Sequence, residues 1–236
     1  MTDLDTLYRE LIKVPHFRDA ISTCRGSYGE YFVKLCRRPE RRFLLRNEAR
    51  FAERFQRYDF CPSLVGFRDV DNASLLVYQR VTGVSLSNVF FATKRMISLV
   101  SDALDRINET LAGEKVCQLD PSPNNVIVNL PSSRVWYIDY ELCAPFGTES
   151  EITNTFGLNT DEEKQVLSRA FQTAACQYKP ASMTEYGDAF NRFMNKKLIE
   201  ALEHRQNLRG VFEFLGYKMR HFWQRAIQKA DRVQWQ

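Results

Sequence analysis

Two acids and one amide lie close together in the middle of this sequence, and their spacing suggests metal-dependent chemistry. Asp120 is followed five positions later by Asn125, and a second acid, Asp139, follows two short apolar runs that predict a β-hairpin. Hard divalent cations take oxygen ligands, and Mg²⁺ is often held by one or two carboxylates together with substrate phosphates. If these three side chains converge on one point, they would suit Mg²⁺ and a phosphate chain.

This arrangement resembles the protein-kinase-like superfamily, in which an Asp, four intervening residues and an Asn precede a hairpin that ends in a second Asp. The resemblance implies that Asp120 orients the acceptor hydroxyl and takes its proton. It also implies that Asn125 and Asp139 bind Mg²⁺, and that ATP is the second cofactor.

The residues upstream follow the order expected from that resemblance. The turn segment with Gly26 and Gly29 resembles a shortened glycine-rich loop, whose backbone amides would approach the ATP phosphates. Lys34, in the strand-like run that follows, would contact the α- and β-phosphates. Glu48 on the next helix would be its ion-pair partner, with Glu53 as the second choice.

The resemblance covers about residues 20–145 and has three departures. Residues 77–83 resemble the hinge segment that holds adenine through backbone hydrogen bonds. However, Gln118 stands where a His is usual, Asp-Tyr-Glu at 139–141 replaces Asp-Phe-Gly, and no Ala-Pro-Glu motif follows. The compact layout resembles short bacterial kinases, including those that act on lipopolysaccharide cores, and minimal effector-type protein kinases.

Periodicity predicts the elements that must position these groups. The pattern predicts helices over 3–14, 40–58, 85–113, 161–177, 183–203 and 208–231, strands between 17 and 35 around a glycine turn, and strands over 64–69, 74–80, 126–130 and 134–139. We therefore expect an α+β, two-lobed kinase-like fold, with a small strand-rich N-lobe at 1–82 and a helical C-lobe at 83–236.

Composition narrows the class of protein and its location. The chain has 236 residues, 44% of them hydrophobic, and a formal net charge of +4, which fits a globular enzyme that handles anions better than a dedicated nucleic-acid binder. The six cysteines have no metal-binding spacing, so we expect buried free thiols and a reducing compartment. Without a signal peptide or a membrane-spanning segment, we expect a cytoplasmic protein, with peripheral attachment to the inner membrane or delivery as an effector left open.

An arginine-rich segment has two interpretations. Seven arginines lie between Arg37 and Arg54, and the favoured interpretation is a solvated helix face. The alternative is a docking surface for an anionic partner, such as lipid A, phosphosugars, nucleic acid or an acidic protein. Arg46 and Arg50 could instead pair with nearby acids.

The sequence therefore predicts an ATP-dependent kinase that transfers the γ-phosphoryl group to a hydroxyl. The acceptor is left open between a protein Ser/Thr/Tyr and a cell-envelope glycan or glycolipid. Gln118 and the degenerate glycine segment motivate an alternative, a catalytically impaired pseudokinase that acts as a binding module. A basic adaptor for RNA or a membrane is a third possibility.

Overall fold

Two short helices precede the first sheet in the computed structural model, which describes residues 3–70, 72–89, 93–147, 149–170, 182–183, 185–192, 194–196, 198–200 and 203. Helix α1 (Leu4–Leu11) is capped by Asp3, whose side chain accepts a hydrogen bond from the Asp5 amide. Helix α2 (Pro15–Arg18) begins at Pro15, because proline is tolerated at the first position of a helix. The prediction that strands begin at residue 17 was therefore wrong, since Phe17 is a buried residue of α2.

Four antiparallel strands form the first sheet. Their bounds are β1 (Thr23–Tyr28), β2 (Tyr31–Cys36), β3 (Leu64–Val70) and β4 (Ala73–Gln79), in the spatial order β1-β2-β4-β3. Side chains alternate across a strand, so Val33 and Leu35 of β2 join the core under α1 and α2. Lys34 and Cys36 point to the opposite face.

Helix α3 (Arg42–Phe55) covers that opposite face and follows a 3₁₀ turn at Pro39–Arg41. Its apolar residues at spacings of three and four are buried, as the sequence predicted. Leu45, Ala52 and Phe55 join the largest hydrophobic core, which extends from the first sheet into the second half of the chain. Helix α3 therefore connects the two halves of the molecule.

Up to residue 170, the described part of the second half contains two small antiparallel sheets and three α-helices. The elements in chain order are β5 (Val84–Ser85), α4 (Lys94–Gly113), β6 (Val116–Gln118), β7 (Val126–Asn129), β8 (Arg134–Tyr137), β9 (Cys143–Pro145), α5 (Glu149–Thr155) and α6 (Asp161–Ala170). Strands β5, β7 and β8 form one sheet, and β6 pairs with β9. The chain is thus a mixed α+β structure with a small antiparallel sheet ahead of a more helical part.

Several predicted boundaries were wrong in this half. Helix α4 begins at Lys94 instead of residue 85, because Val84 and Ser85 pair with β7 and Thr93 caps the helix by accepting a hydrogen bond from the Met96 amide. Strands β6 and β9 and helix α5 were not predicted. The described residues between 183 and 203 are helical, as predicted, whereas 171–177 and the predicted helix at 208–231 lie outside the described residues.

Five of the cysteines are buried free thiols, as predicted: Cys24, Cys36, Cys61, Cys117 and Cys143. Cys176 lies outside the described residues. None of the described helices is both long and apolar enough to cross a bilayer.

Candidate functional site

Lys34 lies at the centre of a buried cluster of charges between the first sheet and the second half of the chain. Its Nζ donates to Glu48 Oε2 at 2.7 Å and to Asp139 Oδ1 at 2.5 Å. Glu48 is completely buried on α3, and its other oxygen accepts a hydrogen bond from the Tyr78 hydroxyl at 3.1 Å. Glu53, the second choice from the sequence, is exposed.

Burial and charge act against each other in this cluster. Burial disfavours the charged ammonium, but the carboxylates of Glu48, Asp139 and Glu141 outweigh it and hold the pKa of Lys34 above its usual value. Burial raises the pKa of Glu48, and the adjacent ammonium opposes that shift. Lys34 is therefore held in its charged form, with Glu48 and Asp139 as its two directly bonded carboxylate partners.

Asp139 lies just beyond β8 in a backbone conformation that is unusual for a residue with a side chain. Its φ is +69°, and such left-handed residues persist where the surrounding structure holds them. The Gln118 side-chain amide donates to the Asp139 carbonyl oxygen at 2.6 Å. Gln118, which replaces the expected His, is itself buried, so it fixes the backbone that presents the Asp139 carboxylate.

The loop with Asp120 and Asn125 is tied to the same point. The Asn125 side chain donates to the Asp120 carbonyl oxygen at 3.3 Å, and the Asn125 carbonyl accepts from the Ile138 amide at 2.8 Å. Asn125 is thus joined by its backbone to the neighbour of Asp139. Burial and then the charge of Asp139 raise the pKa of Asp120, which makes its carboxylate a better proton acceptor than an ordinary surface Asp.

Glu141 is a further acid that the sequence reading did not assign. Oxygen atoms of Glu48, Asp139 and Glu141 lie within 4.8 Å of one another, a spacing that a metal ion can bridge. Both oxygens of Glu48 accept hydrogen bonds, from Lys34 and from Tyr78, so Asp139 and Glu141 are the carboxylates better placed to face a cation. Their hard oxygen donors fit Mg²⁺. The last residue of the Asp-Tyr-Glu motif was the signal that could have identified Glu141.

Asn47, next to Glu48 on α3, anchors the helix to the segment that follows Asp139. Its side-chain amide donates to the carbonyl oxygens of Glu141 at 2.9 Å and Cys143 at 2.8 Å. Its own oxygen accepts a hydrogen bond from Arg50 at 2.7 Å. These bonds hold α3 and the Asp139–Glu141 segment together, a role that residue type alone does not indicate.

A cleft of about 250 Å³ adjoins this charged cluster. Apolar side chains line most of it, among them Phe32 from β2, Ile127 from β7 and Ile138 beside Asp139. The segment 79–83 closes one side, and Asn129 on β7 holds it by donating to the Thr82 carbonyl oxygen at 3.0 Å. Lys34 and Asp139 line the cleft at its charged end.

The two glycines of the turn segment do not lie together at this charged end. Gly26 is inside β1 opposite Val33, and Gly29 forms the hairpin turn to β2 with φ +58°. The structure thus brings together Lys34, Glu48, Asp120, Asn125 and Asp139, and places the Gly29 turn elsewhere.

The arginine-rich segment is largely engaged in contacts within the protein. Arg46 pairs with Asp69 at 3.4 Å, and Arg54 donates to Glu114 at 2.7 Å. Arg50 donates to the Thr155 carbonyl oxygen as well as to Asn47. Arg37 also donates to the Arg18 carbonyl oxygen, and Arg38 pairs with Glu40, so five of the seven arginines have contacts within the protein. The docking surface for an anionic partner remains an untested prediction.

Comparison with known proteins gives little beyond this geometry. No protein-family profile and no curated protein sequence matches the chain. Among solved structures, the crystal structure of monomeric WbdD is 15% identical with a TM-score of 0.47, covering 74% of this chain and 45% of that chain. A medium-resolution structure of the bifunctional kinase-methyltransferase WbdD is 15% identical with a TM-score of 0.46, covering 75% and 42%. This chain spans less than half of either chain, and the TM-scores are too low to define its fold.

Proposed function

We propose that the protein is an ATP-dependent phosphotransferase with a two-lobed kinase-like fold, and that it transfers the γ-phosphoryl group to a hydroxyl. One observation carries the proposal. Lys34 contacts Glu48 and Asp139 at the same time, and Asp139 is held beside the loop that carries Asp120 and Asn125. A lysine between a helix carboxylate and a loop carboxylate is the arrangement needed to hold a phosphate chain next to a metal.

The apolar cleft and the charged cluster would bind different parts of ATP. The apolar cleft is smaller than the usual pocket for a drug-sized ligand, so it suits the flat adenine ring alone. The phosphates would then extend towards Lys34, whose ammonium is held in place by Glu48. Segment 79–83 supplies backbone groups at the edge of the adenine.

Asp139, Glu141 and Asn125 are the oxygen donors that would hold Mg²⁺, which when bound supplies charge neutralisation along the phosphate chain. Asp120 aligns the acceptor hydroxyl and takes its proton, and its raised pKa suits that role. Gln118 contacts the backbone of both acids. Its side-chain amide fixes the Asp139 carbonyl, and its oxygen lies 3.5 Å from the Asp120 amide nitrogen. Rate acceleration would come from positioning and charge, because little covalent chemistry is left to the protein.

The decisive test is substitution of the two acids. Asp120→Ala and Asp139→Ala should each lower γ-phosphoryl transfer by about a hundredfold or more, measured with labelled ATP, while the urea unfolding curves stay cooperative. Asp69→Ala, which removes an exposed acid remote from the cleft, is the matched control and should retain full transfer. Full activity in either of the first two variants would refute the assignment.

The same labelled ATP distinguishes a protein acceptor from a glycolipid acceptor. Incubation of the protein with labelled ATP alone, then with lysate protein and with glycolipid fractions, shows where the phosphate goes. Label found only in protein would exclude the cell-envelope glycan, and label found only in glycolipid would exclude the protein acceptor. Mg²⁺-dependent ATP binding without turnover in any fraction would support the pseudokinase instead.

A further inference from the structure

The structure leaves the phosphates of the proposed nucleotide without the glycine loop that the sequence suggested. A Cβ added to Gly26 would lie 3.2 Å from His16 Nε2 and 3.5 Å from Phe17, so this face of β1 packs on α2 and turns away from the cleft. Gly29 is four residues from Arg25, or about 13 Å at the usual rise of a strand. Its turn lies beside segment 79–83, where the Arg80 amide donates to the Glu30 carbonyl oxygen at 2.8 Å.

Arg25 occupies the position on β1 that faces the charged cluster. It lies directly opposite Lys34 in the strand register, and alternation puts its side chain on the face opposite to that of Cys24 and Gly26. One guanidinium nitrogen is 3.6 Å from Asp139 Oδ2. The side chain is 67% exposed, so this ion pair is weak and the guanidinium is free to take another partner.

A second recess, of about 200 Å³, also has Lys34 in its lining. Three cations and one acid line it: Arg25, Lys34, Arg41 and Glu141. The two cavities share Lys34, and one is mainly apolar whereas the other is basic. A ligand that fills both would carry an apolar group at one end and an anionic group at the other.

We propose that Arg25 binds the phosphate chain of the nucleotide, in place of the backbone amides of a glycine-rich loop. Before the nucleotide arrives, Arg25 and Lys34 each neutralise one oxygen of the Asp139 carboxylate. When the phosphates bind Arg25, its ion pair with Asp139 breaks, and Oδ2 of Asp139 becomes available to a metal. Nucleotide and metal should therefore bind as a pair, each favouring the other. This inference rests on the proposed function, because it places the phosphates at Lys34.

The test compares ligands with and without phosphates on Arg25→Gln. Calorimetric titration with ATP in Mg²⁺ should show affinity reduced about tenfold or more, because a charge-assisted contact is lost. Affinity for adenosine should remain unchanged. Binding of Mn²⁺ alone, followed by its paramagnetic resonance signal, should become about two- to fivefold tighter, because a competing cation has left Asp139. Opposite changes for ATP and metal are not expected from general damage to the fold.

Two variants provide controls. Arg68 lies on β3, at the opposite edge of the sheet from β1, and pairs with Asp5 of α1 at 2.8 Å. Its side chain is about as exposed as that of Arg25, and Arg68→Gln should leave all three affinities unchanged. Arg25→Lys keeps the charge and should recover part of the ATP affinity. ATP affinity within about twofold of wild type in Arg25→Gln, or an equal loss of adenosine affinity, would overturn this inference alone. Failure of the wild-type protein to bind ATP would overturn the proposed function as well.

Discussion

Helix α3 carries two ionic clusters at different depths. In its middle, Glu48 is completely buried against Lys34, which also contacts Asp139. Just beyond its end, Arg57 joins Arg54 in binding the carboxylate of Glu114, which follows α4. The Tyr58 hydroxyl donates to the same carboxylate at 2.7 Å.

The two clusters handle charge in opposite ways. Hydrogen bonds from Tyr58 and Arg54 lower the pKa of Glu114 to about 2, so its charge is stabilised by folding. Burial raises the pKa of Glu48, so its charge is held at a cost. A cluster that stabilises the fold needs only good hydrogen-bonding partners. A cluster that buries a carboxylate at a cost, together with a buried cation and the strained Asp139, is typical of a binding site.

The comparison predicts its largest effect for Glu48→Gln. Phosphoryl transfer should fall by about a hundredfold, because Lys34 loses the partner that positions it. The urea midpoint should fall, because the buried Lys34 ammonium keeps only Asp139 as a directly bonded carboxylate partner. Labelled-ATP assays and urea titration on the same preparation measure both. A large drop in stability with normal transfer would reverse the roles of the two clusters.

Asn47→Ala should have an intermediate effect. It removes two hydrogen bonds and leaves the carbonyl oxygens of Glu141 and Cys143 without these donors, so unfolding free energy should fall by about 2–3 kcal/mol. Transfer should fall too, because α3 is no longer tied to the segment that carries Asp139. Urea titration and steady-state kinetics provide the measurements. Unchanged kinetics in a destabilised variant would show that the anchor serves stability alone.

Glu114→Gln should have the smallest effect and should leave transfer unchanged. At pH 7 we expect a loss of about 1 kcal/mol, because hydrogen bonds to a charged group become neutral ones. The pKa is lowered in the folded state, so the stabilisation is present above pH 4.5 and is lost as the pH falls towards about 2. Urea titrations at pH 7 and pH 3 should therefore show the difference between variant and wild type shrinking. A difference independent of pH would contradict the ionic account.

Sequence reasoning found the residues whose types are chemically distinctive. Five residues stand out by their type and their order along the chain, and the structure brings them together: Lys34, Glu48, Asp120, Asn125 and Asp139. The strands at 64–69 and 74–80 and the body of α3 were predicted because their apolar periods are long enough to be unambiguous.

The missed features depend on which way a side chain faces or on very short elements. Arg25 looks like any other strand arginine until its register with Lys34 is known. Asn47 gains its role from carbonyl groups 94 and 96 residues away along the chain. Strands β6 and β9 have only three residues each, too few for a period to show. The helix predicted over 3–14 is followed directly by Pro15, which begins α2 because proline is tolerated at the first position of a helix.

The buried thiols can report when each hydrophobic core becomes accessible to solvent. Cys24 belongs to the core under α1 and α2, whereas Cys36, Cys61, Cys117 and Cys143 belong to the core that joins the two halves. Burial also raises the pKa of Cys61 to about 11 and that of Cys117 to about 12, so these sulfurs are poor nucleophiles while they are covered. With Cys176 replaced by Ser, a brief pulse of alkylating reagent followed by mass spectrometry would record separately when each core admits solvent.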